Sequence, residues 1–374
     1  NPNCNVQLFE KNANLGAKVL ISGGGRCNVT TGILDVKELL KNYPRGAKFL
    51  MTAMFRFPPK KVMEWFEEHG VPLKIEEDLR VFPVSDNSKD IVGALEKNLK
   101  ENGVEILCNM SVSQISKDGE QFTVTSKDER TFTADAVILT TGGNAYRHTG
   151  STGDGYAFAE ALGHTITKLG PSLSSFVVAE KWIGDLAGVS FEKAKLTLGK
   201  FERTGPFVFT HRGVSGPAVF ALSSYAAYEP ISAKTPTKLT VDFFPNEKLE
   251  ALDGRLFDLI QKNPQKGLAN FLDILLPKSM CGVVVPLSNI EGTVKAGSLT
   301  KANRSVLAHL LKEFPMTVVD RSGGEEFVTA GGVKLSEINT NTMGSKICPG
   351  LYFAGEIMDV DGFTGGFNLQ ASWA

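Results

Sequence analysis

Glu10 closes a short apolar stretch, Leu8-Phe9-Glu10-Lys11, and a glycine triplet follows it in Leu20-Ile21-Ser22-Gly23-Gly24-Gly25-Arg26-Cys27-Asn28. A carboxylate at a strand end can accept two hydrogen bonds from a ribose diol. It would repel a 2'-phosphate, which favours FAD or NAD over NADP. Glycines take positive φ at little steric cost and let the main chain press against a flat or phosphorylated ligand. Arg26 and Asn28 add a cation and an amide where a pyrophosphate or a flavin edge would lie. The same residues also read as an exposed acid at a strand end and a flexible turn.

A second glycine-rich block closes the chain: Gly355-Glu356, then Asp359-Val360-Asp361-Gly362-Phe363-Thr364-Gly365-Gly366-Phe367-Asn368-Leu369-Gln370. It predicts a strand, a turn and the first turn of a helix. Unpaired N–H groups at a helix start, with the positive dipole end behind them, stabilise an electron-rich carbonyl or oxyanion. A reduced flavin gains negative charge at its pyrimidine edge, so a helix start there favours reduction; the alternative is a capped helix after a loop. Cys27 could be a redox partner of a flavin or a small packing residue. His211, in Thr210-His211-Arg212-Gly213, could be a general acid or a structural histidine at a helix start. Asp154 is expected to cap a helix through Tyr156, Phe158 and Ala159. Gly213-Val214-Ser215-Gly216-Pro217 approaches the G-x-S-x-G of a serine hydrolase, with Pro217 in the fifth place.

The elements that must carry these groups follow from periodicity. Val6–Glu10 reads as a strand, and Lys60–His69 and Ile91–Asn102 as helices stopped by Gly70 and Gly103. Residues 103–107 begin a strand, and Ser111–Ile115 with Gln121–Ser126 form a hairpin. Ala134–Leu139 is a near-continuous apolar run, expected to be buried on both faces of a parallel sheet. From Ile166 to Phe244 the texture is strand-like and predicts a small antiparallel sheet or barrel. Between Glu247 and Phe314 it turns helical, and the face of Lys301–His309 is expected to be solvated.

Size and charge narrow the classes. The 374 residues predict two or three domains. With 40 Lys and Arg against 41 Asp and Glu, no net field attracts nucleic acid or anionic membrane. The five cysteines, Cys4, Cys27, Cys108, Cys281 and Cys348, are scattered without metal or disulfide spacing, so no metal site is expected and a reducing cytoplasm is. Asn1-Pro2-Asn3-Cys4-Asn5 does not read as a signal peptide.

The two glycine blocks, together with Phe209-Thr210-His211-Arg212-Gly213-Val214-Ser215-Gly216-Pro217, Thr329-Ala330-Gly331-Gly332-Val333 and Gly350-Leu351-Tyr352-Phe353-Ala354-Gly355-Glu356, closely resemble the BaiN/RdsA-type NAD(P)/FAD-dependent oxidoreductases. The resemblance runs in order over essentially the whole chain. It implies an α/β (α+β overall) fold: a Rossmann-like two-dinucleotide-binding-domain flavoprotein with an inserted β-barrel-like module and a helical subdomain. The implied division is a FAD-binding domain over 1–165 and 334–374, the barrel-like insert over 166–245 and 316–333, and the helical insert over 246–315.

By the same resemblance Glu10, with Lys11 beside it, would hold the adenosine ribose. Lys18, Ser22, Gly23, Gly24, Gly25, Arg26, Cys27 and Asn28 would line FAD, and Val112 would meet the adenine. Thr141, Gly142 and Gly143 would flank the cofactor, while Gly355, Glu356, Asp361, Gly365, Gly366, Phe367, Asn368 and Leu369 would reach its ribityl and isoalloxazine. The implied activity is hydride transfer between flavin and a small organic substrate, with NAD(P)H or oxygen as the second redox partner. A non-catalytic flavin- or nucleotide-binding role is the alternative. In this family a G-x-G-x-x-G unit stands about 20 residues before the acid, and only nine residues precede Glu10. The chain is thus expected to begin inside its own fold and to hold FAD weakly or not at all. Gly344 also stands where the family usually has an acidic residue.

Overall fold

A computed structural model describes residues 4–321 and 327–374; the first three residues of the polar start, and 322–326 within the expected return of the insert, lie outside the described residues. The chain divides into two compact units, Asn1–Ser172 with Gly324–Ala374, and Leu173–Gly323. Residues 166–172 and 328–333, which the sequence places in the insert, belong to the first unit. The strand Gly170–Ser172 pairs there with Val328–Ala330, antiparallel, with Ser172 opposite Val328.

In the first unit two parallel pairs carry the glycine-rich turns. Gln7–Phe9 pairs with Glu105–Leu107, and Leu351–Phe353 pairs with Val137–Leu139. The helix Ser88–Glu101 begins before the expected Ile91 because the Asn87 side chain accepts from the Lys89 amide and caps it. Pro59–Glu68 starts on a proline, whose missing N–H costs nothing at the first position, and buries Val62 and Phe66. The expected hairpin gains a third strand, Thr131–Ala134.

That third strand corrects the reading of Ala134–Leu139 as one strand buried on both faces. Ala134 ends the antiparallel sheet, and the chain restarts past Asp135 as Val137–Leu139 in a parallel pair. Ile138 is 64% exposed. An apolar run records composition, but one polar residue inside it is enough to change the sheet being joined.

The second unit is a closed six-stranded antiparallel barrel. Its strands, in spatial order, are Phe176–Val178, Gly213–Ser215, Phe201–Phe209, Ser190–Leu198, Thr237–Asp242 and Phe314–Arg321. Period-two alternation turns Ala194, Leu196, Leu198, Leu239, Val241, Phe314, Met316 and Val318 inward. The strand-like texture up to Phe244 conceals a helix, Pro217–Tyr225, which buries Ala218, Val219, Ala221, Leu222, Ser223 and Ser224. Enclosed around most of its circumference, it shows no amphipathic stripe to read. The helices Leu249–Lys262, Leu268–Leu272, Lys278–Ser288 and Lys301–Lys312 match the expected helical stretch. They share one apolar cluster with the barrel.

Candidate cofactor site

The first glycine turn follows the short helix Ala17–Ile21, and Gly23, Gly24 and Gly25 take φ of 56°, 69° and 86°. A Cβ on Gly23 would stand 2.7 Å from the Asn28 nitrogen, so that position is closed by packing. At Gly24 and Gly25 a Cβ would meet nothing within 4 Å. These two leave a bare main-chain edge.

The polar residues beside the turn are largely engaged within the protein. Arg26 lies 3.8 Å over the Phe82 ring and donates to Glu76 at 2.7 Å and Asp86 at 3.2 Å. The hydrogen bond it donates to Glu76 does most to hold its guanidinium above the usual range. It is therefore part of a surface ion network rather than a spare cation. Asn28 is buried, and its Oδ1 accepts from the Val81 amide. Cys27 is fully buried at φ 62°, and burial, against a weaker opposing hydrogen bond with Ser22, pushes its thiol up to about 11. A protonated, enclosed thiol opposes the redox role considered for it.

The closing block folds as expected into the strand Leu351–Phe353, a tight turn Gly355–Ile357 and the helix Gly365–Trp373. Asn368 braces the approach to the helix: its Oδ1 accepts from the Gly362 amide, and its Nδ2 donates to the Gly362 and Thr364 carbonyls. Thr364 makes no side-chain cap bond. A Cβ on Gly365 would meet nothing within 4 Å, whereas one on Gly366 would stand 2.7 Å from both the Thr30 carbonyl oxygen and the Asn28 amide. The close approach at Gly366 brings the two glycine blocks together. Trp373 Nε1 donates to the Val29 carbonyl and Gln370 Nε2 to that of Phe57. Leu369 packs against the buried cluster that includes Cys27 and Val29, and the Phe367 carbonyl accepts from the Tyr43 hydroxyl.

Glu356 joins three segments. It pairs with Lys18 and accepts from the Thr329 amide at 2.9 Å, and a Cβ on Gly143 would stand 2.8 Å from its Oε1. Gly142 takes φ 72°, and the Thr141 hydroxyl faces Gly155 so closely that no side chain fits there. Gly355, Glu356, Met358, Val360, Asn368 and Ala371 line a small recess.

Glu10 stands one residue past its strand, Gln7–Phe9, and its Oε1 accepts from the Asn12 amide at 2.7 Å. Lys11 bonds Thr152 and Asp154. Asp154 does not cap its helix: it is the first helical residue, and Gly153 at φ 80° holds the cap position. Burial raises its carboxyl, but Lys11 and Thr152 outweigh this and draw it below the usual range. Val112 begins the strand Val112–Asp118 and packs partly into the core. Asp361 is fully buried, gripped by both arms of Arg45 and by the Ser172 hydroxyl at 2.7 Å. Its carboxylate is held inside the protein.

The remaining candidates lie in the second unit. His211 is exposed in the turn between the strands Phe201–Phe209 and Gly213–Ser215, not at a helix start. Ser215 does sit on a strand-to-helix turn, but the positive φ falls on Gly216, at 101°. Its Oγ bonds Ser175 Oγ at 2.7 Å, so the hydrolase reading finds neither a strained nucleophile nor a histidine partner here.

Sequence reasoning passed over Arg45, Ser172 and His164, and named Thr329 only as part of a family motif. His164 Nε2 lies 2.7 Å from Ser345 Oγ, and its Nδ1 lies 3.3 Å from Glu337 Oε2. The order is that of a hydrolytic triad, yet Ser345 Oγ also accepts from the Ile347 and Cys348 amides. Both its lone pairs are occupied, so the trio is a clasp and not a nucleophile. Gly344, beside it, is packed against the Tyr352 ring, where a Cβ would stand 3.2 Å away. Such long-range partners carry no local spacing signal. Among the described residues no group of His, Cys, Asp and Glu is placed to hold a metal ion, and no helix is long and apolar enough to cross a membrane.

Comparison with known proteins agrees with the motifs. A family model described as HI0933-like protein Rossmann domain matches residues 1–374. The chain is 31% identical over 374 residues to the 3-dehydro-bile acid delta(4,6)-reductase of Clostridium scindens, covering 99% of this chain and 90% of that protein. It is 28% identical over 375 residues to the ribosomal RNA dihydrouridine synthase of Haemophilus influenzae, covering 99% and 90%. Among solved structures, the 3-ketosteroid-delta4-(5alpha)-dehydrogenase of Rhodococcus jostii aligns with a TM-score of 0.48 at 13% identity, over 99% of this chain and 90% of that one.

Proposed function

This chain belongs to the HI0933-like Rossmann-domain family, and on that premise we propose that it is a flavin-dependent oxidoreductase acting on a carbon–carbon double bond conjugated to a carbonyl. The observation that carries the cofactor is the bare main chain at Gly24, Gly25 and Gly365, where a Cβ would meet nothing within 4 Å. The two blocks are locked together at Gly366, so these edges belong to one construction. Such a cradle fits a flat, hydrogen-bonding group such as FAD.

In this reading the Glu10 carboxylate holds the ribose, and the main chain of Gly23–Gly25, Gly142 and Gly355 approaches the cofactor body. The first amides of the Gly365–Trp373 helix, uncapped by Thr364, supply donors to an electron-rich edge. Lys18 and Glu356 neutralise each other and tie the Gly355 turn to the first glycine segment. Bound FAD would supply the hydride chemistry, and NAD(P)H or oxygen would be its second redox partner.

The names of the relatives point to the substrate class. One describes reduction at Δ4,6 positions of a 3-dehydro compound, and the other describes a dihydrouridine product. Both fit addition of hydrogen to a double bond activated by a carbonyl. The near-neutral charge balance favours a small organic molecule over RNA.

The test begins with the visible spectrum of the purified full-length protein. Anaerobic bleaching by NADH or NADPH is then followed by turnover with cyclic enones and dienones, with uridine-containing ribosomal RNA in parallel. Uptake of added FAD, bleaching and enone turnover are expected. Protein that stays colourless and does not quench added FAD fluorescence would remove the cofactor reading. Turnover on RNA alone would move the substrate to the nucleobase.

A further inference from the structure

We infer that Arg45, Asp361 and Ser172 are positioning residues for the cofactor, fixing the bare Gly365 edge from behind; this rests on the FAD reading above. The segment 42–46 grips the closing turn at three places. The Phe363 amide donates to the Asn42 carbonyl at 3.1 Å, the Tyr43 hydroxyl donates to the Phe367 carbonyl at 2.7 Å, and Arg45 bonds Asp361 through two guanidinium nitrogens. Gly46, at φ 79°, seals the contact, because a Cβ there would stand 2.6 Å from Val360 Cγ2. Ser172, fully buried, adds a donor to Asp361.

The geometry explains why a buried acid stands at 361. A planar guanidinium bonded through two nitrogens fixes both the distance and the plane of its carboxylate, which a lysine cannot do. Asp361 opens the turn whose far end is Gly365, so the clamp sets where the helix amides stand. Asp359, two residues earlier, also feels Arg45; burial, the largest influence, holds its carboxyl above the usual range. Arg45 therefore bonds Asp361 and also lies close enough to Asp359 to pull against that burial.

The experiment compares wild type with Ser172→Ala, Tyr43→Phe and Arg45→Lys in the full-length protein. The readouts are FAD dissociation constant, flavin midpoint potential and thermal midpoint. Ser172→Ala and Tyr43→Phe are each expected to weaken FAD by about threefold and Arg45→Lys by about tenfold or more, as loss of a fixed hydrogen-bond geometry implies. In Arg45→Lys the preference for reduced over oxidised flavin should fall by about tenfold, a downward shift of about 30 mV for a two-electron couple. If the thermal midpoint falls while FAD affinity and potential stay at wild-type values, the residues are merely structural and the inference is overturned. Should Arg45→Lys fail to fold, the two milder variants decide by the same criterion. If wild type takes up no FAD, the functional reading fails and this one with it.

Discussion

Cys27 and His164 are both enclosed, and enclosure acts on each through its charged form. The Cys27 thiol, pushed up to about 11, stays protonated at neutral pH. Iodoacetamide at pH 8 should therefore label exposed Cys4 and spare Cys27 in the native chain; labelling at equal rates would contradict this. For His164, burial lowers the pKa below its ordinary value against a weaker pull from Glu337. At pH below about 6.5 the unfolded chain takes up a proton that the folded chain refuses. Stability is therefore intact above that pH and lost as pH falls toward the folded value, by at most about 1.4 kcal/mol per pH unit for this one site. Urea unfolding at pH 7.0, 6.0 and 5.5 should show a shallower acid limb in His164→Gln. An identical limb in the variant would mean that His164 does not titrate in this range.

The start of the Gly365–Trp373 helix shows two glycines with opposite reasons. At Gly366 a Cβ would press on the Thr30 carbonyl, which cannot rotate away. Gly366→Ala should cost about 1–3 kcal/mol by overpacking, read as a lower urea midpoint. Gly365→Ala meets open space at a helix position, so its urea midpoint should match wild type while FAD affinity falls. Unchanged FAD affinity in that variant would separate the bare edge from the cofactor. Both glycines were visible in the sequence as parts of a strand, turn and helix, and that motif, with the GGGRCN turn, identified the family and its Rossmann class. The difference between them was not visible, because it depends on Thr30 and Asn28 folding beneath one and not the other. The same limit hid Arg45 and Ser172, whose partner Asp361 is far along the chain. Helices with one apolar stripe, such as Ser88–Glu101, were legible; Pro217–Tyr225, buried on most sides, was not.

At the scale of the whole chain the second unit is one continuous segment inserted between two paired strands of the first. Ser172 stands opposite Val328 in that antiparallel pair, so the first unit brings the two ends of the insertion together by its own hydrogen bonds. Within the second unit Phe176 is paired with Arg321, and its first and last strands are likewise neighbours. The barrel and its five α-helices share one large apolar cluster drawn wholly from residues 176–318, while the first unit has its own clusters. A segment with a closed barrel, adjacent ends and a private core has what independent folding requires. We therefore predict that residues 173–321 expressed alone unfold cooperatively in urea, with coincident circular-dichroism and tryptophan-fluorescence transitions from Trp182. Replacing residues 173–326 by an Asn-Gly turn should leave a folded first unit, because two-residue loops of that type join antiparallel strands. On the reading proposed above, that remnant should still quench FAD fluorescence and show no turnover with enones. A non-cooperative 173–321 fragment would mean that its core depends on the rest of the chain, and FAD binding lost from a well-folded remnant would place part of the cofactor site in the second unit.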